Sequence, residues 1–143
     1  MFSKSRMFAV ILVIISGAVI VGFVVLGSSP LSCAGGDSSS IIHFTITESA
    51  LGYNDSKDHY PSAWPIMTVH LGQLVCLHIQ NIDSSEAHGF MMDKYVVSER
   101  VLQPGTSIDV SFIATQAGTF TFRCTIPCVV HQYMLNGKLI VTS

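Results

Sequence analysis

The stretch Gly118-Thr-Phe-Thr-Phe-Arg-Cys-Thr-Ile-Pro-Cys-Val-Val-His-Gln-Tyr-Met-Leu-Asn-Gly-Lys-Leu-Ile-Val141 decides how this chain folds. In its first part Phe120, Phe122 and Cys124 fall on one side of an extended chain, and Thr121 and Arg123 on the other. Pro127 ends that strand, because proline has no N–H to give to a ladder. Asn136-Gly137 then turns the chain into a last strand through Leu139 and Val141. The reading is strand, loop, strand, with Cys128, His131 and Met134 on the loop and Cys124 at the inward-facing end of the strand before it.

The same period of two runs backward through the chain. Ile42, Phe44 and Ile46 alternate with His43, Thr45 and Thr47. Met67, Val69 and Leu71 alternate with Thr68 and His70, and Val75, Leu77 and Ile79 with Cys76, His78 and Gln80. Ile108, Val110 and Phe112 alternate with Asp109 and Ser111. Turn signals separate the runs at Gly72, Asp83-Ser84-Ser85, Pro104-Gly105 and Ala117-Gly118. Short strands at this spacing predict an all-β chain, an antiparallel β-sandwich. Leu51–Trp64 has no clear period and reads as an irregular loop with room for a turn of helix. A loop between the last two strands puts a site at one end of the sandwich.

The N-terminal end has a different composition. Met7–Gly27 is 21 residues without a charge, which at about 1.5 Å per residue is about 30 Å of helix, the thickness of a hydrocarbon core. It predicts one transmembrane helix. A cleaved signal peptide is the competing reading, although its apolar part runs only about 7–15 residues. A lipoprotein signal at Cys33 fits less well, since Pro30 stands where an apolar residue is usual. Lys4 and Arg6 precede the run and no further Lys or Arg comes before Lys57. The positive-inside bias therefore predicts a single-pass cell-membrane protein with a cytoplasmic N-terminus and an extracytoplasmic head. The expected organisation is a tip and anchor over 1–27, a flexible linker over 28–40 and a head over 41–143.

From Ile41 onward there are eight acidic and five basic residues, a net −3. Nucleic-acid binding calls for a basic stripe and is excluded. No paired acid/base carboxylates, no nucleophile beside a base and no phosphate loop are present, so no catalytic set is assigned. Asp93, Glu99 and Asp109 read as surface charges. Cys76 reads as a small buried apolar residue in a strand, and the state of Cys33 is open.

The remaining chemistry is concentrated. Cys124, Cys128, His131 and Met134 lie within eleven positions, and His88 follows the turn at 83–85. Two thiols, two imidazoles and a thioether suit a soft, redox-active metal, and copper best. A Cys124–Cys128 disulfide is the alternative, but it leaves His131-x2-Met134 without a role. His43, His59, His70 and His78 read as solvated or structurally hydrogen-bonded.

From His88-Gly-Phe through Val101-Leu-Gln-Pro104-Gly105 and Arg123-Cys124 to Met134-Leu-Asn-Gly137, the head resembles the cupredoxin domain of cytochrome oxidase subunit II and its relatives with a dinuclear CuA centre. The resemblance covers about 55 residues closely and implies a Greek-key cupredoxin-like sandwich. With its single anchor the chain is similar to the short form of subunit II. By that resemblance Cys124 and Cys128 would be bridging thiolates, His88 and His131 terminal imidazoles, and Met134 a weak axial ligand. The Ile126 carbonyl would be the remaining weak ligand, at a position usually held by Glu. The family pattern is Cys-x3-Cys-x3-His-x2-Met, whereas here two residues separate Cys128 from His131. Cys-x2-His-x2-Met also resembles mononuclear blue-copper loops, in which Cys128 would be the sole thiolate.

The resemblance implies an electron-transfer subunit of a haem-copper terminal oxidase. Its partners would be an integral haem-bearing subunit and an electron donor, cytochrome c or a small cupredoxin. Two other functions stay open: a membrane-tethered one-copper shuttle between membrane complexes, and a copper-delivery protein.

Overall fold

Alternating β-branched and aromatic residues form strands because they stack well on a pleated, half-buried surface. In the computed structural model, which describes residues 9–15, 18–24, 33 and 40–143, they form two units, Met1–Pro30 and Leu31–Ser143. The expected tip, residues 7–8, 16–17 and 25–27 of the expected anchor and most of the expected linker lie outside the described residues.

In the first unit the described residues of the expected helix form two antiparallel strands, β1 (Ala9–Ile15) and β2 (Ala18–Val24), with Ile15 opposite Ala18 and Ala9 opposite Val24. The run is rich in Val and Ile, whose stiff side chains favour strands over helices. Among the described residues no helix is long and apolar enough to cross a membrane.

The second unit contains two sheets. β3 (Ile41–Ser49), β4 (Gly52–Tyr53), β6 (Leu74–Asn81) and β9 (Ser107–Ile113) form one, in the order β4-β3-β6-β9. β5 (Ile66–His70), β7 (His88–Met92), β8 (Val96–Leu102), β10 (Gly118–Arg123) and β11 (Gly137–Thr142) form the other, in the order β5-β11-β10-β7-β8. A short helix α1 (Ser56–His59) and a 3-10 turn (His131–Met134) complete it. The expectation of a purely antiparallel sandwich is corrected: β3 runs parallel to β6, and β5 parallel to β11. Between β3 and β6 the chain crosses to the other sheet as β5, and such a crossover is what a parallel pair needs.

The alternation read from the sequence sets the core. Ile46, Leu77, Ile79, Phe122, Leu139 and Val141 are all buried, and Phe90 and Met92, which lie outside that alternation, join them. At about 1.5–3 kcal/mol per fully buried large apolar side chain, this layer supplies most of the driving force. Tyr53, Phe90 and Phe122 form a cluster of ring pairs with centroids 5.5–5.9 Å apart.

Cys76 is buried, but not as a free thiol: it forms a disulfide with Cys33. The two cysteines are 43 residues apart, a pairing that only the folded arrangement could reveal. Cys33, within the segment expected to be a flexible linker, is therefore bonded to β6.

Candidate metal centre

β7 and β10 pair antiparallel through Phe122–Met92 and Arg123–Met91. Continuing that register runs the start of β7 alongside the segment that follows Cys124. A Cβ on Gly89 would stand 2.3 Å from Thr125 Oγ1 and 3.1–3.2 Å from the backbone nitrogens of Thr125 and Ile126. Only glycine lets the strands approach this closely, and His88 is carried to the thiols with it.

The result is a buried cluster in which ligand atoms of His88, Cys124 and Cys128 all lie within 4.8 Å of one another. The two sulfurs are 4.0 Å apart, and both cysteines are free thiols. Cys124 Sγ accepts a hydrogen bond from Gly89 N–H (3.4 Å) and donates one to the Ile126 carbonyl (3.2 Å). The Ile126 oxygen thus faces the first thiol. His131 is not a member of this group of His and Cys ligand atoms. It and Met134 lie on the 3-10 turn, held where His131 N–H donates to the Cys128 carbonyl and Cys124 N–H to the Met134 carbonyl. Met134 is fully buried.

Two buried imidazole nitrogens, His88 Nδ1 and His131 Nδ1, have no hydrogen-bond partner. Orphaned buried polar atoms are rare, and an unpartnered imidazole nitrogen on a residue clustered with two thiols, as His88 is, is what a metal would satisfy. Burial, reinforced by the neighbouring Cys124 thiol, pushes Cys128 up to about 12. Without metal this thiol keeps its proton at neutral pH. The residues present fit a thiolate- and imidazole-bound metal.

The sequence reading missed several residues around the centre. Asp83 is buried, its carboxylate fixed by Ser85 and Glu86 and within 3.2 Å of His88 Nε2. The Ser85 N–H, ahead of opposing burial, and the other bonds hold it at about 2. Glu86 Oε2 accepts from Val129 N–H on the loop between Cys128 and His131 (3.0 Å). Tyr53, fully buried, donates its hydroxyl to the Gly89 carbonyl. Asp83-Ser-Ser-Glu86 and the glycine after His88 were visible signals, whereas nothing in the irregular segment around Tyr53 pointed to it.

The other histidines behave as expected. His78 pairs with Asp109 at 2.8 Å, His70 with Thr142 at 2.8 Å, and His59 stacks on Trp64. Asp93 holds Arg123 at 2.8 Å on the surface.

No protein-family model matches the chain, and no curated protein matches it. A solved structure described as a multicopper oxidase superimposes with a TM-score of 0.54 at 19% identity over 71% of this chain. The fold is cupredoxin-like. The match spans 42% of that structure's chain, so the likeness concerns the sandwich and not the whole oxidase.

Proposed function

We propose that the head is a copper-binding electron-transfer domain, the subunit II of a haem-copper terminal oxidase with a dinuclear CuA-type centre. The observation that carries this reading is the pair of free thiols 4.0 Å apart beside a buried imidazole, in a cupredoxin-like sandwich. His88, Cys124, Cys128, His131 and Met134 would hold the metal, with the Ile126 carbonyl beside it. Bound copper would supply one-electron redox chemistry.

The chain's own part is to preset and enclose. Two hydrogen bonds that survive loss of the thiol proton fix Cys124: Gly89 N–H donates to its sulfur and its own N–H donates to the Met134 carbonyl. Groups held this firmly by their supporting shell move little when charge changes, which favours fast electron transfer. His88, Cys124 and Met134 are almost wholly withdrawn from solvent, so water is kept from these three, while Cys128 and His131 are half-buried. Both thiols must give up protons when metal binds, so uptake becomes easier as pH rises.

The proposed partners are an integral haem-bearing oxidase subunit and a donor, cytochrome c or a small cupredoxin. Attachment to the cell membrane through the apolar run at 7–27 belongs to the same proposal, with the N-terminus cytoplasmic and the head outside. In hydrocarbon the isolated β1–β2 pair would leave its edge groups unpaired, so the proposed anchor takes this run as a helix there, where the backbone outweighs the strand preference of Val and Ile.

Copper content and paramagnetic resonance test the reading together. Two coppers per chain with an electron shared between two nuclei is the expected result. One copper with an intense blue band would defeat the dinuclear version. The short Cys128–His131 spacer supports that one-copper alternative, in which His88, Cys128, His131 and Met134 are the ligands and Cys124 a neighbour.

A further inference from the structure

We propose that Asp83 is a positioning residue of the centre: its carboxylate selects the tautomer of His88 that presents a bare Nδ1 to the two thiols. The proposal rests on the metal-binding reading above.

The geometry makes the choice one-sided. Asp83 sits in the turn before β7, and its Oδ1 is fully engaged. It accepts from Ser85 N–H (2.8 Å), Ser85 Oγ (2.8 Å) and Glu86 N–H (3.2 Å). The main chain of the residue is held as well, its N–H lying 2.9 Å from Asn81 Oδ1 and 3.2 Å from the Glu48 carbonyl. This leaves Oδ2 as the only free acceptor, and it lies 3.2 Å from His88 Nε2. An ionised carboxylate has no hydrogen to donate, so the nitrogen facing it must carry the proton. The neutral ring has one such proton, and Nδ1 is then a lone pair.

His88 is fully buried, and its Nδ1 has no protein partner. Solvent cannot stabilise the other tautomer, which would set a nitrogen lone pair against a carboxylate oxygen. Ligating histidines commonly carry such a carboxylate on their second nitrogen, and losing it costs roughly 10–100-fold in metal affinity.

The full chain, reduced, metal-free and labelled with 15N-histidine, tests this directly. Long-range proton–nitrogen spectra at neutral pH are expected to show His88 protonated on Nε2 and bare at Nδ1. In D83N an amide can donate to Nε2 and favour the opposite tautomer. Its spectrum should shift toward Nδ1–H, and its Cu(I) affinity in anaerobic chelator competition should fall roughly 10–100-fold. D83E, which restores a carboxylate, should recover part of both. E86Q should leave the tautomer of His88 unchanged. A wild-type His88 protonated on Nδ1 overturns the proposal, as does D83N with an unchanged tautomer and unchanged affinity. If D83N does not fold, the wild-type spectrum alone decides. A wild type with Nδ1 bare that takes up no Cu(I) defeats the copper reading while supporting the tautomer assignment.

Discussion

At the residue scale two substitutions separate close approach from charge. Gly89→Ala places a methyl 2.3 Å from Thr125 Oγ1 and against backbone nitrogens that cannot swing aside. Overpacking of this kind costs about 1–3 kcal/mol, so the urea midpoint should fall and copper affinity with it. Glu48 is a different case. It is fully buried on β3, neither carboxylate oxygen has a partner, and burial raises it from 4.5 to about 8. The protonated form is the one the fold accepts. Its contribution to stability is fully present below pH 4.5, falls as pH rises from there, and is lost above about 8. The slope is at most about 1.4 kcal/mol per pH unit. Glu48→Gln should flatten stability across that window and leave the variant more stable than wild type at its upper end, which denaturation at a series of pH values would show. The positions Cys124, Cys128 and His88 were legible because few other residue types do their chemistry. Glu48 was not, because a Glu on a strand ordinarily faces water.

At the element scale the disulfide and the register of β7 matter most. Closing a span of 43 residues between Cys33 and Cys76 restricts the unfolded chain. Replacing both by Ser should lower unfolding free energy by about 2–4 kcal/mol, and reductant should do the same to wild type while leaving the double variant unmoved. β7 escaped the sequence reading because four of its five residues are buried, so it shows no polar alternation. β8 escaped for the opposite reason, since an edge strand with five exposed residues in a row looks like a loop. Yet β7 delivers His88 to the site, and its pairing with β10 decides which residue that is. Alternation fixes which face a residue takes, not which strand lies beside it.

For the whole molecule, metal held as proposed would be linked to the fold. A metal that binds only the folded head stabilises it by about 4 kcal/mol at a thousandfold excess over the dissociation constant. Copper loading should raise the thermal midpoint by several degrees, and a strong chelator should return it to the metal-free value. An unchanged midpoint at saturating copper would mean that the cluster is not a folded-state metal site. Membrane attachment has its own measure. The full chain should stay with membranes through alkaline carbonate, and placing two lysines at Val13 and Val21 should release it. Release of the unaltered chain would defeat the anchor.

The all-β class and the position of Cys124 at the end of an inward face followed from the sequence, because a strand's side-chain period is a local property. So did the choice of ligand types, because softness and redox chemistry belong to single side chains. The bond between Cys33 and Cys76, the strands within the apolar run and the carboxylate behind His88 were decided by pairing between segments. Pairing depends on which surfaces meet when the core closes, and no local pattern records it. The cluster that stood out in the last strand–loop–strand of the sequence becomes a candidate centre only where β7 reaches it.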